Sequence, residues 1–278
     1  MGVRLVDTGD RLGGILSTHI ASIMYAHHHS IPIERDVTRY DDSIFMKALC
    51  DWIAVHNRTA VEKESAPVSQ HEWYRLMVHT LATVKADFVS YFYAHLRESV
   101  CASLSRYALE RDYRVPFNAR RTILVHLRRN DVQSLPDYDG RVCNNAYANL
   151  INSERYDECM DMMCENRQSP ISIAKLGVVI KTANAAFPGY EVILLTSPGE
   201  TLHLPYRVIS NQDESLDLYL LCKSDVVILS RSTFSLMSLL FGDSKHVYAP
   251  LWCHSACMGL TTKFDNSRSV PRKMIYYS

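Results

Sequence analysis

The sequence lacks an excess of charge of either sign, because its 30 lysines and arginines balance its 30 aspartates and glutamates. Proteins that bind a nucleic-acid backbone normally present a broad basic face, so this balance argues against nucleic acid as a main partner. The sequence also lacks a run of roughly 20 apolar residues, which a membrane-spanning helix needs, and the apolar segment of a signal peptide near its start. We therefore expect a cytoplasmic protein without a membrane span.

Regularly spaced cysteines are missing as well. The chain has 8 cysteines at irregular intervals. Most have apolar neighbours, which is typical of free thiols in a reducing compartment. The His and Cys positions form no convincing set of metal ligands. We therefore expect a site that works without a metal.

The length of the chain is enough for two modest domains, since 278 residues include 47% hydrophobic residues. We expect the boundary near Pro116. Before it, a short strand and an apolar helix are followed by apolar positions at helical spacing up to about residue 111. After it, strands at residues 123–125, 191–195, 206–209 and 226–229 alternate with helices. This alternation predicts a parallel sheet covered by helices.

Residues 123–131 form the most informative segment, an apolar strand that runs into His126, Arg128, Arg129 and Asp131. Strand ends carry chemistry in α/β proteins. A guanidinium presents a planar fork that fits two phosphate oxygens, so paired arginines at a strand end predict a diphosphate site. The alternative is a strand followed by a solvated basic turn, since surface charge runs are common.

A second segment holds Gly9, Gly13 and Gly14 between the first strand and an apolar helix over residues 15–24. Glycine lets a backbone approach a ligand closely, and a helix N-terminus favours anions. Glycines between a strand and a helix also serve ordinary packing, and their spacing does not decide between the two interpretations.

A third segment, residues 217–241, predicts a helix, a buried strand over residues 226–229, a hydroxyl-rich loop and a second helix. Ser232 or Thr233 would cap that second helix, and the free amides of its first turn can bind phosphate. The hydroxyl groups would equally well serve only to cap their own helix.

In their order along the chain, the three segments resemble those of the fucosyltransferase superfamily of GT-B glycosyltransferases. His126 to Asp131 is similar to the HxRRxD donor motif of that superfamily, residues 9–14 to its N-terminal glycine-rich loop, and residues 217–235 to its late donor-binding block. The resemblance implies an α/β protein of GT-B type, with two Rossmann-like domains whose parallel sheets face a central cleft. It implies an acceptor-side domain over residues 1–115 and a nucleotide-sugar donor-binding domain over residues 116–278.

Carried over by motif position, the resemblance implies that Arg128 binds the donor's diphosphate, with Arg129 and His126 supporting it. It also implies that Asp217 holds its helix or contacts the donor. The other donor-side residues that it implies are Gly9, Arg11, Gly13, Gly14, Thr196, Ser232, Thr233, Phe234 and Ser235.

The catalytic base stays open. The α1,6-fucosyltransferases carry a glutamate ten positions after the motif histidine, where this chain has Pro136. Asp10, Asp131 and Asp137 are the remaining candidates. In an inverting transfer, one carboxylate takes the proton of the acceptor hydroxyl while cations stabilise the departing diphosphate, so arginines such as Arg128 can replace a divalent metal.

The donor also stays open between GDP-fucose, which most of the named families use, and UDP-xylose. A related chlorella-virus β-xylosyltransferase is similar in being a short chain without a membrane anchor, and a viral protein of this kind would work in the host cytoplasm. The resemblance thus implies an inverting, metal-independent transfer to a glycan or glycoprotein hydroxyl. The alternative is a non-catalytic glycan- or nucleotide-binding protein of the same fold, because Pro136 stands where a base is expected.

Two further expectations concern the first half of the chain. The acceptor should lie between the halves, where Asp10, Arg11 and residues 34–42 could meet a sugar. The run His27-His28-His29 near the end of the first helix could suggest a metal cluster. Adjacent helical residues point in different directions, however, so we expect solvated or capping histidines instead.

Overall fold

The computed structural model describes residues 3–5, 11–36, 38–56, 88–129, 139–153, 155–165, 169–200, 204–252 and 273–278. Its first part contains β1 (Val3–Leu5), α1 (Leu12–His29), β2 (Ile33–Arg35), α2 (Ile44–His56), α3 (Phe88–His95) and α4 (Arg97–Glu110). Its second part contains β3 (Thr122–Leu127), α5 (Gly140–Asn152), α6 (Tyr156–Glu165), α7 (Ile173–Ala186), β4 (Glu191–Thr196), β5 (Arg207–Ile209), α8 (Glu214–Lys223), β6 (Val226–Ile228), α9 (Thr233–Phe241), β7 (His246–Pro250) and β8 (Lys273–Tyr277).

The main sheet has six strands in the order β5-β4-β3-β6-β7-β8, and every neighbouring pair is parallel. In the register of the central strand, Ile123 lies opposite Val192 on one side and Val226 on the other. Strands β1 and β2 form a separate parallel pair. The prediction of an α/β protein with a parallel sheet is confirmed, whereas two domains facing a central cleft stay a prediction.

The two faces of the main sheet bury different side chains, as the alternation along a strand requires. Ile123 and Val125 pack with α7, whereas Leu124 belongs to the apolar cluster on the opposite face. All six residues of β3 are buried. A central parallel strand is covered by helices on both faces, which explains why its residues 123–125 are all apolar.

The opposite face joins the two halves of the chain. Its apolar cluster contains residues of α1, α2, α3 and α4 together with residues of α8, α9 and the main sheet. The phenyl rings of Phe45 and Phe92 each contact that of Phe241, with ring centroids 5.1 and 5.4 Å apart. In the described residues the core is therefore continuous across the boundary expected near Pro116, and the division into domains stays a prediction.

The first helix is longer than the sequence pattern predicts. It begins at Leu12 and continues to His29, where Ser30 adopts a left-handed conformation with φ of 54°. The N–H of Ser30 bonds to the carbonyls of Ala26 and His27, which closes the last turn. Of the long helices expected up to residue 111, the structure describes α3 and α4, and residues 57–87 lie outside the described part.

Candidate functional site

The strand order of the main sheet identifies where a ligand would bind. If β3 is numbered as the first strand of the sheet, the strand order is 3-2-1-4-5-6, which is the order of the Rossmann fold. The chain moves from β3 to β4 and β5 on one side, and then returns to add β6, β7 and β8 on the other. Ligands of such sheets bind at the carboxyl ends of the strands at this reversal. The crevice beyond β3 and β6 is therefore the expected position of a ligand-binding site.

A pocket that is partly open to solvent lies at this crevice. Three parts of the chain form it: the start of α1, the carboxyl ends of β3 and β4, and the segments around α8 and α9. We call it the main pocket. Its lining residues are Arg11, Gly13, Gly14, His126, Arg128, Thr196, Ser197, Glu214, Asp217, Ser232, Thr233 and Phe234.

The imidazole of His126 connects the two strands at the reversal. Its side chain is buried at the end of β3, and its Nδ1 is hydrogen-bonded to the hydroxyl of Ser230 just after β6, at 2.7 Å. Its ring also packs against that of Phe234, with centroids 5.2 Å apart. These two contacts hold the ring in one orientation.

The electrostatics around His126 keep the ring neutral. Burial, together with the positive charges of Arg128 and Arg11, lowers the pKa of His126 to about 3. A charged imidazole would lose its hydration and face two guanidinium groups. At neutral pH, His126 therefore presents a neutral hydrogen-bonding group to the pocket.

The two adjacent arginines of the motif have different surroundings. Arg128 lines the main pocket. Arg129 instead forms an ion pair with Glu200, with 3.1 Å between its Nε and the carboxylate Oε1, and the Glu200 side chain is 7% exposed. Arg129 thus anchors the loop after β4, and a supporting role at the diphosphate stays a prediction.

The loop after β4 begins at the pocket. Thr196 is buried, and its hydroxyl donates to Oε2 of Glu200 at 3.4 Å. Burial raises the pKa of Glu200, while Arg129 and the Thr196 hydroxyl oppose that rise. The loop is held by its own polar contacts, and Thr196 and Ser197 line the pocket.

The first turn of α9 faces the same pocket. Ser232 occupies the N-cap position without a side-chain capping bond, and Ser232, Thr233 and Phe234 line the pocket. The first amides of a helix have no acceptor within the helix, so this turn attracts anions. Ser235 is different, because it is fully buried and its hydroxyl donates to the carbonyls of Ser230 and Ser232. Ser235 therefore holds the turn from below.

Gly13 serves the close packing of two helices. A Cβ atom at this position would lie 2.3 Å from the backbone N and Cα of Phe234. Only glycine lets α1 approach α9 this closely, so the packing interpretation of this glycine holds. Gly14 also lines the pocket, and its carbonyl accepts bonds from the hydroxyls of Ser17 and Thr18.

Glu214 is a pocket residue that the sequence interpretation missed. Its Oε2 accepts hydrogen bonds from the Leu12 N–H at 3.3 Å and from the Tyr40 hydroxyl at 3.2 Å. Its Oε1 lies 3.5 Å from the Arg11 Nε. A carboxylate of the protein thus occupies the start of α1. The structure begins α8 at Glu214, after the N-cap Asp213, and nothing in the sequence indicates that this helix meets α1.

Asp217 is a buried carboxyl group in the wall of the pocket. It is 8% exposed, and its Oδ1 accepts a hydrogen bond from the Asn211 side-chain amide. Burial is the main reason that its pKa rises to about 7. The bond from Asn211 opposes the rise, and the negative charges of Asp213 and Glu214 add to it. Near neutral pH, this group can both donate and accept a hydrogen bond.

Arg231 is a second residue that sequence reasoning missed. Its side chain is 1% exposed although it directly follows Ser230 at the end of β6. Its charge acts on the Tyr277 hydroxyl, where it opposes the rise that burial causes in the pKa of that phenol. A buried cation therefore adds positive potential to this edge of the sheet.

Four of the predicted site residues, Gly9, Asp10, Asp131 and Asp137, lie outside the described residues. The other predicted residues line the pocket at one edge of the sheet, except Arg129 and Ser235, which are not among its lining residues. Within the described ranges, no three His, Cys, Asp or Glu side chains are grouped so that they could hold a metal ion. None of the described helices is both long and apolar enough to span a membrane.

Comparisons with known proteins add little to this geometry. No protein-family model matches the chain, and no curated protein sequence matches it. Among solved structures, the chain is similar to POFUT1 in complex with GDP, at 12% sequence identity and a TM-score of 0.33. The match covers 92% of this chain and 67% of that one. At this level of similarity, it assigns no function to the chain.

Proposed function

We propose that this protein is a glycosyltransferase that moves a sugar from a nucleotide-diphosphate donor to a hydroxyl group of a glycan acceptor. One observation carries the proposal: Arg128, His126 and the first turn of α9 meet in one pocket where the strand order reverses. Nucleotides bind at this place in sheets of this order. The pocket therefore combines the position and the chemistry that a nucleotide diphosphate requires.

The diphosphate is the part of the donor that gains charge as the sugar leaves. The Arg128 guanidinium can form two parallel bonds to phosphate oxygens, and the first amides of α9 can donate to others. The amides of α9 are held in place by the helix before the reaction, so they can stabilise the departing charge without reorganising. We propose on this basis that the transfer needs no metal ion.

The proposed transfer inverts the anomeric centre. The acceptor oxygen bonds to the anomeric carbon, the bond from that carbon to the diphosphate oxygen breaks, and the diphosphate leaves with the electron pair. The hydroxyl proton passes to a carboxylate. Asp10, Asp131 and Asp137 remain the candidates for this base.

Asp217 fits a role in holding the donor. Its carboxyl group is fixed by Asn211 in the wall of the main pocket. With a pKa raised to about 7 by burial, it can donate a hydrogen bond to a carbonyl of the nucleobase or accept one from a ribose hydroxyl. Both GDP-fucose and UDP-xylose offer such groups, so both stay candidate donors.

A thermal-shift panel tests the proposal. GDP, UDP, GDP-fucose and UDP-xylose are compared with ADP and inorganic pyrophosphate, each with and without a chelator. A ligand at about 100 times its Kd stabilises the folded state by about 2.7 kcal/mol, so the melting temperature should rise clearly with one nucleotide class. Stabilisation by guanine nucleotides supports a fucosyltransferase, and stabilisation by uracil nucleotides supports a xylosyltransferase.

Other outcomes of the panel would contradict parts of the proposal. If no nucleotide shifts the melting temperature, the diphosphate assignment is wrong. If the chelator removes the shift, metal independence is wrong. If the nucleotide sugar binds but is neither hydrolysed nor transferred in the presence of glycan acceptors, the chain is a binding protein of the same fold.

A further inference from the structure

A second cavity lies beside the main pocket, and we call it the side groove. Three separate segments form it: the loop before α2, the turn after α4 and the start of α8. It is open to solvent and has about 730 Å³ of empty space. Its lining residues include Arg39, Tyr40, Arg111, Tyr113, Asp213 and Glu214.

The side groove and the main pocket share Glu214, which lines both cavities. Tyr40 of the groove donates its hydroxyl hydrogen bond to Oε2 of Glu214, and Leu12 of the pocket edge donates its N–H to the same oxygen. Burial and the nearby Glu214 charge raise the pKa of Tyr40, so its hydroxyl stays protonated. A ligand in the groove therefore lies next to a ligand in the pocket, with one fixed carboxylate between them.

The walls of the side groove present two tyrosines among charges of both signs. The guanidinium of Arg39 lies 5.1 Å from the centre of the Tyr40 ring, and the Tyr113 hydroxyl donates to the Asp213 carboxylate. Arg111 donates to the carbonyl of Asp42 at 3.0 Å, which ties the turn after α4 to the loop before α2. The groove is thus built by contacts that cross between segments.

This set of groups suits an uncharged ring with many hydroxyls. Tyrosine rings offer an apolar face and a polar tip. Arginine can donate hydrogen bonds to the hydroxyl oxygens of a sugar, and carboxylates can accept hydrogen bonds from its hydroxyl groups. The carboxylates of Asp213 and Glu214 disfavour an anionic ligand, and the guanidinium groups of Arg39 and Arg111 disfavour a cationic one.

We propose that the side groove binds the acceptor sugar and directs its reactive hydroxyl past Glu214 into the main pocket. This inference rests on the proposed glycosyltransferase function. It extends the expectation that residues 34–42 meet the acceptor, because it adds Arg111, Tyr113 and Asp213 from distant parts of the chain. Glu214 is a positioning residue, since it fixes Tyr40 and the start of α1 at the border of the two cavities.

Binding of simple sugars to groove variants tests the inference. Saturation-transfer NMR is recorded for methyl glycosides of glucose, galactose, mannose, fucose and xylose, with saturating GDP or UDP present. We expect at least one glycoside to bind the unaltered protein. Arg39→Ala and Arg111→Ala should each weaken that binding about ten-fold, the loss expected when a hydrogen bond from a charged group is removed. The stabilisation by nucleotide should not change.

The matched control is Arg114→Ala. Arg114 lies in the same turn as Arg111, its side chain is 82% exposed and its partner is Asp112, so this variant should bind the sugar normally. The inference is overturned if no glycoside binds, or if both groove variants bind as well as the control. A missing nucleotide shift in the unaltered protein would instead overturn the proposed function, so the two failures are distinguishable.

Discussion

Two regions of this molecule contain histidine in a cavity, and their surroundings differ. At the main pocket, the buried His126 lies beside a serine hydroxyl, two arginines and the first turn of a helix. At the end of α1, His27 lies among aromatic rings. Of these two regions, the first brings together groups that could bind an anion.

The second region is a cluster around Trp52. The His27 Nδ1 is hydrogen-bonded to the Tyr91 hydroxyl at 2.7 Å, and the His27 ring lies 5.4 Å from those of Trp52 and His95. His56 stacks on Trp52 with centroids 4.3 Å apart. This cluster closes the contact between α1, α2 and α3, which is a packing role.

Neighbouring histidines in a sequence do not by themselves form a binding site. His27, His28 and His29 are all exposed at the end of the helix, and of the three His27 is the one that is hydrogen-bonded to Tyr91. His126 stands alone in its segment, but the sheet brings Ser230 and Phe234 to it from more than 100 residues away. Both regions form by convergence through the fold. They differ in the groups that converge, which are a serine hydroxyl and arginines at His126 and aromatic rings at His27.

Removing the guanidinium of the main pocket should have the largest effect. Arg128→Ala should weaken nucleotide binding by about 100-fold, because a charged hydrogen-bond donor to phosphate is worth up to about 3 kcal/mol. Titration calorimetry with the nucleotide that stabilises the protein measures this. His27→Ala and the exposed Arg120→Ala should bind normally. Unchanged binding by Arg128→Ala would remove the distinction between the two regions.

The close packing below the main pocket should be nearly as sensitive. Gly13→Ala places a Cβ against the backbone of Phe234, so we expect a loss of about 2 to 3 kcal/mol in the free energy of unfolding. Urea denaturation measures the loss. Gly177→Ala is the matched control: it lies within α7 with no atom within 4 Å of the new Cβ, and it should stabilise the protein by about 0.5 to 1 kcal/mol. Equal stability of the two variants would contradict the packing role.

Acid should affect the two histidine regions unequally. The pKa of His126 is lowered from 6.5 to about 3 in the folded state, so the unfolded chain takes up the proton first and stability falls as pH drops below 6.5. At pH 5 the loss from this group is about 2 kcal/mol relative to pH 8. His126→Asn, which keeps an acceptor for Ser230, should remove that part of the pH dependence.

The comparison in this experiment is between each variant and the unaltered protein at pH 8 and pH 5. Asp217 acts in the opposite sense, because its raised pKa means that stability is lost as pH rises through its titration range. Subtracting the unaltered protein cancels this term. The pKa of His27 is also lowered, by burial and then by His95 and His56. The His27 side chain is exposed, so His27→Asn should change the pH dependence of stability less than His126→Asn does. A larger change in the pH dependence of stability for His27→Asn than for His126→Asn would contradict the conclusion that His126 has the larger effect.

The smallest effect is expected in the aromatic cluster. Tyr91→Phe removes the hydroxyl that bonds to His27 and should cost about 1 kcal/mol of stability without changing nucleotide binding. Tyr190→Phe, in a ring that packs against Phe187, is the matched control for loss of a hydroxyl and should change stability less. Weaker nucleotide binding by Tyr91→Phe would show that the two regions are coupled.

Local patterns predicted much of the second half of the chain. The apolar run before His126 is β3, and the run before Ser230 is β6. One of the helices expected between these strands is α7, which begins after the N-cap Ser172. These elements follow from apolar periodicity and capping, which act between residues a few positions apart.

The candidate site was less predictable. The sequence indicates Arg128, His126, Thr233 and the glycine loop as site residues. It does not distinguish the role of Arg128 from that of Arg129, or the role of Ser232 from that of Ser235. Successive residues beyond a strand end point in different directions. Contacts from other segments then decide which of them faces the pocket.

The amino-acid sequence by itself determined strands β3, β4, β5 and β6 and the charged strand end after β3, because these depend on local periodicity and residue chemistry. Only the tertiary structure decided that Glu214 occupies the start of α1, that Gly13 touches Phe234 and that Arg129 pairs with Glu200. The physical reason is that Glu214 and Leu12, like Gly13 and Phe234, are far apart in the chain. Packing of helices on a shared sheet brings such residues together, and no local pattern records which surfaces will meet.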